Sequence, residues 1–215
     1  MGTCLPGRAA FYDERKAGVG LVSLNVLDLC SGIGGFSLGL QWAGMQTVAF
    51  CEIDPFCQKL LKKHWPGVPV FDDVKTLSKE ALFENEAFKN NDRRTIDLVC
   101  AGYPCQPFSL SGKRRGADDD RHIWPDIARL LREIKPRWAI FENVYGHVSL
   151  GLDAVLSDLD RLGYTTEAFV IPACGAGLWH RRERVWIIAH AKSQYVQKSQ
   201  VVGTREILGQ FGRAA

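Results

Sequence analysis

The sequence predicts an α/β protein built on an open, doubly wound, mostly parallel sheet. Short apolar runs rich in β-branched and aromatic residues alternate with longer segments whose apolar residues recur at helical spacing. A glycine-rich turn follows the first of these runs, as is typical of the first strand-to-helix connection in such sheets. With 215 residues, of which 46% are hydrophobic, the chain is long enough to bury one good core.

Seven runs are predicted to be strands, because they are short, apolar and bounded by turn residues. They are Asn25 to Cys30, Thr47 to Glu52, Val68 to Phe71, Ile96 to Ala101, Trp138 to Glu142, Thr166 to Ile171 and Val185 to His190. Their alternation with helical segments is the pattern that builds parallel strand-helix-strand units.

The segments between the strands carry the marks of helices. Two sets of apolar residues recur at helical spacing: Ile123, Ile127, Leu130, Leu131 and Ile134, then Leu152, Val155, Leu156, Leu159 and Leu162. Gly163 is placed to end the second of these helices. Asp54-Pro55 has the form of an N-cap with proline in the first turn, which predicts a helix with Phe56, Leu60 and Leu61 on one face.

Net charge, cysteine spacing and the length of the apolar runs exclude several classes of protein. The formal net charge of +3 is only mildly basic, so a nucleic-acid partner has to be argued from local features. The seven cysteines are scattered, odd in number and never spaced as CxxC, which argues against a disulfide framework and a zinc ribbon, and we expect no metal. No apolar run approaches the roughly 20 residues that span a bilayer. Because Met1 to Gly20 also lacks the order of a secretion signal, we expect a cytoplasmic protein with no membrane partner.

A glycine-rich turn after the first strand indicates a ligand site. It reads Asp28-Leu29-Cys30-Ser31-Gly32-Ile33-Gly34-Gly35-Phe36, and a helix is predicted to follow. Glycines let the backbone approach a ligand, and a helix N-terminus offers unpaired N–H groups to an acidic moiety. Ser37 stands where a dinucleotide fingerprint needs its third glycine, which counts against a nicotinamide cofactor. Such a turn can also be no more than a tight turn.

Two acidic residues favour an adenosine ligand over a plain turn. Glu52 closes the second predicted strand, about 20 residues after Gly32, where a carboxylate can hydrogen-bond both hydroxyls of a ribose. Asp73, after the third strand, can accept from an adenine amino group, although an aspartate pair such as Asp72-Asp73 in a loop is usually solvated. Which adenosine ligand binds stays open on this reasoning.

Four motifs together carry a specific resemblance. The fourth strand ends in Ala101-Gly102-Tyr103-Pro104-Cys105-Gln106-Pro107-Phe108-Ser109. With the Asp28-to-Phe36 turn, Glu142-Asn143-Val144 and Arg181-Arg182-Glu183-Arg184-Val185, this string resembles the carbon-5 DNA cytosine methyltransferases in order and approximate spacing. The resemblance covers roughly residues 25–191 and implies a Rossmann-like, class I S-adenosylmethionine-dependent methyltransferase fold.

The resemblance implies S-adenosylmethionine as the cofactor. The positions that match cofactor-binding residues are Cys30, Ser31, Gly32, Gly34, Phe36, Glu52, Ile53, Asp73, Val74 and Pro104.

The resemblance also implies covalent catalysis on DNA. Carbon 5 of cytosine is too weak a nucleophile to take a methyl group directly, so a thiolate first adds to carbon 6, and Cys105 matches that nucleophile. Glu142 matches the residue that supplies a proton to ring nitrogen 3. Arg182 matches a contact to the base or its sugar-phosphate, and Arg184 a support for the nucleophile loop. Without this context, such a cysteine is more often an inert thiol, such a glutamate a cap or a salt-bridge partner, and such an arginine run a solvated face.

Further positions are expected to meet the substrate. They are Gln106, Ser109, Lys113, Arg114, Arg115 and Asn143, the last of which would also fix the loop that carries the nucleophile. Gly112 and Gly116 flank the basic cluster, a composition typical of a loop that closes over DNA but equally of a solvated loop. Trp179 and His180 depart from the family's usual Pro and Gln, which leaves the contacts of position 180 open.

Members of this family usually carry a target-recognition domain after the arginine-rich motif, and this bears on the expected domains and function. We expect residues 1–24 to be a leader of unknown role, 25–191 the catalytic domain, and 192–215 a polar tail where a missing target-recognition domain would start. The expected function is methylation of cytosine in double-stranded DNA of a bacterium or phage-infected cell, on a base flipped out of the duplex. One alternative is a truncated or split remnant that needs a separate recognition segment and binds DNA weakly; another is a tRNA methyltransferase with the same chemistry.

Overall fold

The computed structural model describes residues 23–89, 95–104 and 123–192. Within them, seven strands form one sheet: β1 Asn25–Leu29, β2 Gln46–Cys51, β3 Val70–Phe71, β4 Leu98–Ala101, β5 Trp138–Val144, β6 Tyr164–Ile171 and β7 Arg184–Ala191. Every predicted strand is confirmed, with ends that differ by one or two residues at most.

The strand order is β3-β2-β1-β4-β5-β7-β6, and all neighbours from β3 to β5 pair in parallel. The predicted mostly parallel α/β sheet is therefore confirmed. β7 runs antiparallel to both β5 and β6, and this reversal was not predicted. It follows from the connection, because a 3-10 helix and a loop are enough to join antiparallel strands, whereas a parallel pair needs a long crossover.

The described helices fill the connections between the strands. They are α1 Gly35–Trp42, α2 Pro55–His64, α3 Lys79–Glu84, α4 Glu86–Lys89, α5 Trp124–Ile134, α6 His147–Leu150, α7 Leu152–Arg161 and a 3-10 helix at Ala173–Ala176.

The predicted start of α2 is confirmed, because the Asp54 carboxylate accepts from the backbone N–H groups of Phe56 and Cys57 at 2.8 and 2.9 Å. The predicted apolar face of α2 is only partly correct. Leu61 is fully buried, but Phe56 is 67% exposed in the first turn of the helix. Gly163 follows the end of α7, as predicted.

The sheet is covered on both faces near its centre. On one face, Leu27 and Leu29 of β1 pack in a core with α5 and α7. On the other face, Val26 packs with Leu98 and Cys100 against α1. Successive residues of β1 thus face opposite sides, which explains why all five are apolar or buried and why the strand shows no polar alternation.

The carboxyl ends of β1, β2, β4 and β5 meet at one edge of the sheet, here called the carboxyl edge. β7 runs the other way and begins at this edge, because Arg184 pairs with Val144 at the end of β5. The connection from β6 to β7 therefore lies at the carboxyl edge as well. In open α/β sheets, this is the edge outside which ligands bind.

Three further findings concern the described part of the chain. No helix in it is long and apolar enough to cross a membrane. No group of three or more His, Cys, Asp or Glu side chains in it is arranged to hold a metal ion. The described cysteines are free thiols, at Cys30, Cys51, Cys57, Cys100 and Cys174.

Candidate active site

Gly32 and Gly34, in the turn between β1 and α1, have different surroundings. Gly34 has φ 88°, and a Cβ there would lie 2.6 Å from the Trp65 ring at the end of α2. Gly32 has φ 54°, yet nothing lies within 4 Å of the position of its Cβ. The turn therefore packs onto α2 through Gly34 and leaves open space at Gly32 for a ligand.

Glu52 lies immediately after β2, and its carboxylate joins two loops. Oε2 accepts a hydrogen bond from the Gly32 N–H at 2.7 Å, and Oε1 accepts from the Asp54 N–H at 2.8 Å. The side chain is only 8% exposed. These two bonds hold the carboxylate in place. Each oxygen has a second lone pair, so the group can still accept from ribose hydroxyls.

Apolar side chains flank this carboxylate. Ile53 is 70% exposed next to Glu52, and Ile33 is 64% exposed in the glycine turn. Exposed isoleucines next to a nearly buried carboxylate and next to its hydrogen-bond donor Gly32 suit a ligand with a flat apolar ring and a polar sugar.

Four other predicted cofactor residues have side chains engaged within the protein. The Ser31 hydroxyl donates to the Asp28 carbonyl at 2.6 Å, and the Asp73 carboxylate accepts from a backbone N–H in its own turn at 2.9 Å. Val74 is buried in the core, and burial raises the pKa of the Cys30 thiol to about 12. Cys30, Ser31 and Val74 can therefore serve a ligand through their backbone atoms.

A buried polar network lies beneath the glycine turn. Ser37 in the first turn of α1 donates to the Asp28 carboxylate at 2.6 Å and accepts from the Thr47 hydroxyl at 2.8 Å. Burial raises the pKa of Asp28 to about 6, against the opposing effect of hydrogen bonds from Ser37 and Cys100. The network ties β1 to α1 and so holds the turn between them. Sequence reasoning missed it, although a serine and a threonine at core-facing positions were a signal.

β4 leads through Gly102 and Tyr103 to Pro104, which is exposed at the carboxyl edge. Pro104 is the last described residue before the predicted nucleophile. The predicted positions Cys105, Gln106, Ser109, Lys113, Arg114 and Arg115 lie outside the described residues.

Asn143 and His147 support the segment that enters this region. The Asn143 amide donates to the Tyr103 carbonyl at 3.2 Å, and the Tyr103 hydroxyl lies 3.0 Å from Nε2 of His147. All three side chains are buried, and burial lowers the pKa of His147. Asn143 is predicted to meet the substrate and to fix the nucleophile loop, and its buried side chain bonds the backbone next to Pro104.

Glu142 pairs with Arg184 at the carboxyl edge. Arg184 Nε lies 2.8 Å from Glu142 Oε1, and each side chain is about a quarter exposed. β5 was predicted to end at Glu142. It continues to Val144, so Glu142 lies within the strand. Burial raises the pKa of Glu142, while Arg184 and Arg182 oppose this shift. The carboxyl group thus combines partial burial with a fixed orientation, which suits a proton donor.

The glycine turn and Glu142 meet at Gly102. A Cβ on Gly102 would lie 3.5 Å from Glu142 Oε2 and 3.9 Å from the Phe36 ring. The Phe36 ring also contacts Trp186, opposite Glu142 on β7, edge to face at 5.4 Å. Phe36, a predicted cofactor residue, and the predicted acid Glu142 therefore both lie close to Gly102.

The loop from β6 to β7 brings two more arginines to this edge. Arg181 and Arg182 are exposed. Arg182 has φ 34°, a conformation that non-glycine residues rarely adopt and that is often found at functional sites.

Comparison with known proteins agrees with this geometry. The profile of the C-5 cytosine-specific DNA methylase family matches residues 24–207. The chain belongs to this family. Members of the family are S-adenosylmethionine-dependent methyltransferases.

Curated relatives are similar over most of this chain. Type II methyltransferase M.HhaI of Haemophilus parahaemolyticus is 31% identical, over 84% of this chain and 53% of its own length. M.NgoMIV of Neisseria gonorrhoeae is 33% identical, over 79% and 52%. The chain thus spans about half the length of these methyltransferases, although for M.AquIA of Picosynechococcus sp., at 33% identity, it spans 71%.

Solved structures support the fold. A putative DNA modification methyltransferase encoded within an Escherichia coli prophage is 30% identical, with a TM-score of 0.66 over 82% of this chain and 49% of that one. The Dnmt2 methyltransferase of S. pombe superposes with a TM-score of 0.66 at 22% identity, over 89% of this chain and 56% of that one. The second likeness shows the fold alone.

Proposed function

We propose that this chain transfers a methyl group from S-adenosylmethionine to carbon 5 of a cytosine in double-stranded DNA. The observation that carries the proposal is the meeting of Phe36, Gly102 and Glu142, which brings the predicted cofactor turn against the predicted acid. A fold alone would not support an activity, because one fold serves many chemistries. Here the family motifs and the geometry of the carboxyl edge point to the same reaction.

The residues at the glycine turn fit the cofactor. The nearly buried Glu52 carboxylate offers acceptors for ribose hydroxyls, and the open space at Gly32 gives access to backbone N–H groups. When bound, S-adenosylmethionine supplies an electrophilic methyl group. The exposed Ile53 beside Glu52 provides an apolar surface for the adenine ring.

Cys105 and Glu142 divide the activation of the base between them. The Cys105 thiolate forms a bond to carbon 6, Glu142 gives a proton to nitrogen 3, and carbon 5 becomes nucleophilic enough to take the methyl group. Loss of the proton from carbon 5 then expels the thiolate and restores the aromatic ring, while nitrogen 3 returns its proton. Arg184 holds the Glu142 carboxyl group in place through its 2.8 Å contact.

Cofactor binding is tested by calorimetry on Glu52→Ala. Loss of a carboxylate that accepts from ribose hydroxyls should weaken the affinity for S-adenosylmethionine about 10- to 100-fold, since a hydrogen bond to a charged group contributes roughly 1.5–3 kcal/mol. Glu167→Ala, at an exposed acidic residue on the edge strand β6, is the matched control and should bind normally. Unchanged affinity in Glu52→Ala would remove Glu52 from the site.

The chemical step is tested by trapping on duplex DNA that contains 5-fluorocytosine. Fluorine replaces the proton that has to leave carbon 5, so the covalent adduct should persist, and Cys105→Ala should abolish it. Cys174→Ala removes an exposed thiol and should trap normally. A trapped peptide containing Cys174 would contradict the assignment, and methyl transfer to tRNA but not to duplex DNA would favour the alternative substrate.

A further inference from the structure

Trp179 is the most exposed of the large apolar side chains in the described residues, at 93%. It lies in the loop from the 3-10 helix to β7, next to Leu178, which is 52% exposed. Single exposed apolar residues are common and need no explanation. Trp179 differs from such residues in its position and its surroundings.

Backbone hydrogen bonds hold the loop on both sides of Trp179. The Leu178 N–H donates to the Ala173 carbonyl at 3.1 Å, and the Ala173 N–H donates to the Arg181 carbonyl. The His180 ring contacts the Trp179 ring edge to face, with centroids 5.2 Å apart. The indole is therefore presented to solvent by a fixed turn and is not the end of a loose segment.

The same loop leads directly into the candidate active site. Five residues after Trp179, Arg184 begins β7 and contacts Glu142. Arg181 and Arg182 are exposed between them, and Arg182 is close enough to Glu142 to oppose the rise in its pKa. An exposed aromatic ring beside several arginines, at the edge where the substrate is proposed to bind, matches the composition of surfaces that stack on nucleic-acid bases.

We propose that Trp179 stacks on an unpaired base of the DNA substrate, while Arg181 and Arg182 contact the adjacent phosphates. The inference rests on the proposed function, because a base removed from the duplex leaves unstacked base faces near the active site. An indole ring accepts any base face, so Trp179 contributes affinity for a distorted duplex and not for a sequence. A protein partner that covers Trp179 is the competing outcome.

The test compares two DNA duplexes that share one strand, one fully paired and one in which an abasic position in the other strand leaves a single cytosine unpaired. Binding is measured by fluorescence anisotropy at low salt, and the quantity of interest is the ratio of the two dissociation constants. Trp179→Ala should weaken binding to the unpaired-cytosine duplex about 5- to 100-fold, by the usual effect of losing one stacked base, and should abolish the preference for it. Trp179→Phe should restore most of that preference.

Two further variants separate stacking from other effects. Trp42→Ala removes an exposed tryptophan at the end of α1, four residues before β2 starts at the opposite edge of the sheet, and should leave both constants unchanged. Arg181→Gln should weaken binding to both duplexes equally and reduce its salt dependence, because phosphate contacts do not distinguish the duplexes.

The outcomes distinguish the inference from the function on which it rests. If the chain binds both duplexes and Trp179→Ala keeps the wild-type ratio, the inference is overturned and the proposed function stands. If the wild-type chain binds S-adenosylmethionine but neither duplex, the proposed DNA substrate fails together with the inference. Because Trp179 is almost fully exposed, neither result can be attributed to misfolding of the variant.

Discussion

The cofactor side and the substrate side of the carboxyl edge are built in different ways. On the cofactor side, backbone N–H groups hold the Glu52 carboxylate, and buried hydroxyls hold Asp28. On the substrate side lie Arg182, which has a positive φ, the exposed Trp179 and the Glu142–Arg184 pair, whose side chains are about a quarter exposed. The cofactor side is thus held by internal hydrogen bonds, while the substrate side has charged and aromatic groups that can contact another molecule.

This difference follows from the ligands proposed for each side. A small cofactor can be bound by a few fixed groups, so the wall is rigid before it binds. A duplex is large, charged and has to be distorted, so the protein offers exposed cations and an aromatic ring to it. Substitutions on the cofactor side should therefore change stability and cofactor affinity, and those on the substrate side the methyl-transfer rate and DNA affinity.

The largest effect is expected for Glu142→Gln on the substrate side. Loss of the proton donor should lower the rate of methyl transfer by about 10²- to 10⁴-fold, with cofactor affinity unchanged. Because burial raises the pKa of Glu142, the wild-type rate should also fall as pH rises through that pKa, and the glutamine variant should lose this dependence. The measurement is single-turnover transfer of a labelled methyl group. Glu183→Gln, at an exposed neighbour, is the control and should react at the wild-type rate.

Two glycine variants should separate packing from ligand access on the cofactor side. Gly34→Ala combines a left-handed backbone with a Cβ 2.6 Å from Trp65, so it should lower the free energy of unfolding by roughly 2–5 kcal/mol. Gly32→Ala has open space around its Cβ and should cost only about 1 kcal/mol, but it should weaken cofactor binding. Denaturant unfolding and calorimetry measure the two effects. Equal destabilisation by both variants would show that the two glycines do not differ as described.

A third test concerns Asp28, because burial raises its pKa from the usual value of about 3.9 to about 6. A raised pKa stabilises the fold below the unfolded-state pKa, and this contribution is lost as pH rises through the folded-state pKa. The total amounts to about 3 kcal/mol, of which about 1 kcal/mol should be lost between pH 5 and pH 7. Asp28→Asn does not titrate, so the difference in unfolding free energy between it and wild type should change with pH by that amount. A difference that is constant over this range would contradict the assignment.

The smallest effect is expected where backbone strain is relieved. Arg182 and Lys135 both have positive φ, at 34° and 56°. Replacement of each by glycine should remove a strain of about 1 kcal/mol from the folded protein. Lys135→Gly, at the end of α5, should leave DNA affinity unchanged, whereas Arg182→Gly should weaken it. Equal DNA affinity in the two variants would place Arg182 outside the substrate surface.

Much of the fold was predictable because its signals are local. The apolar runs located all seven strands, and the Asp54-Pro55 cap located the start of α2. The reversed direction of β7 was not predictable from periodicity, since a strand's apolar pattern is the same in either direction. It depends on which neighbours the strand finds, and therefore on long-range pairing.

The family resemblance, most of the strand and helix pattern, and the candidate groups Glu52, Glu142 and Cys105 could be identified from residue types at characteristic spacings. Three features required the packed structure: the approach of Phe36 and Glu142 to Gly102, the bond from Asn143 to the Tyr103 backbone, and the exposure of Trp179. The physical reason is that burial, hydrogen-bond geometry and pKa depend on neighbours far apart in the chain, which only packing of the sheet and its loops brings together.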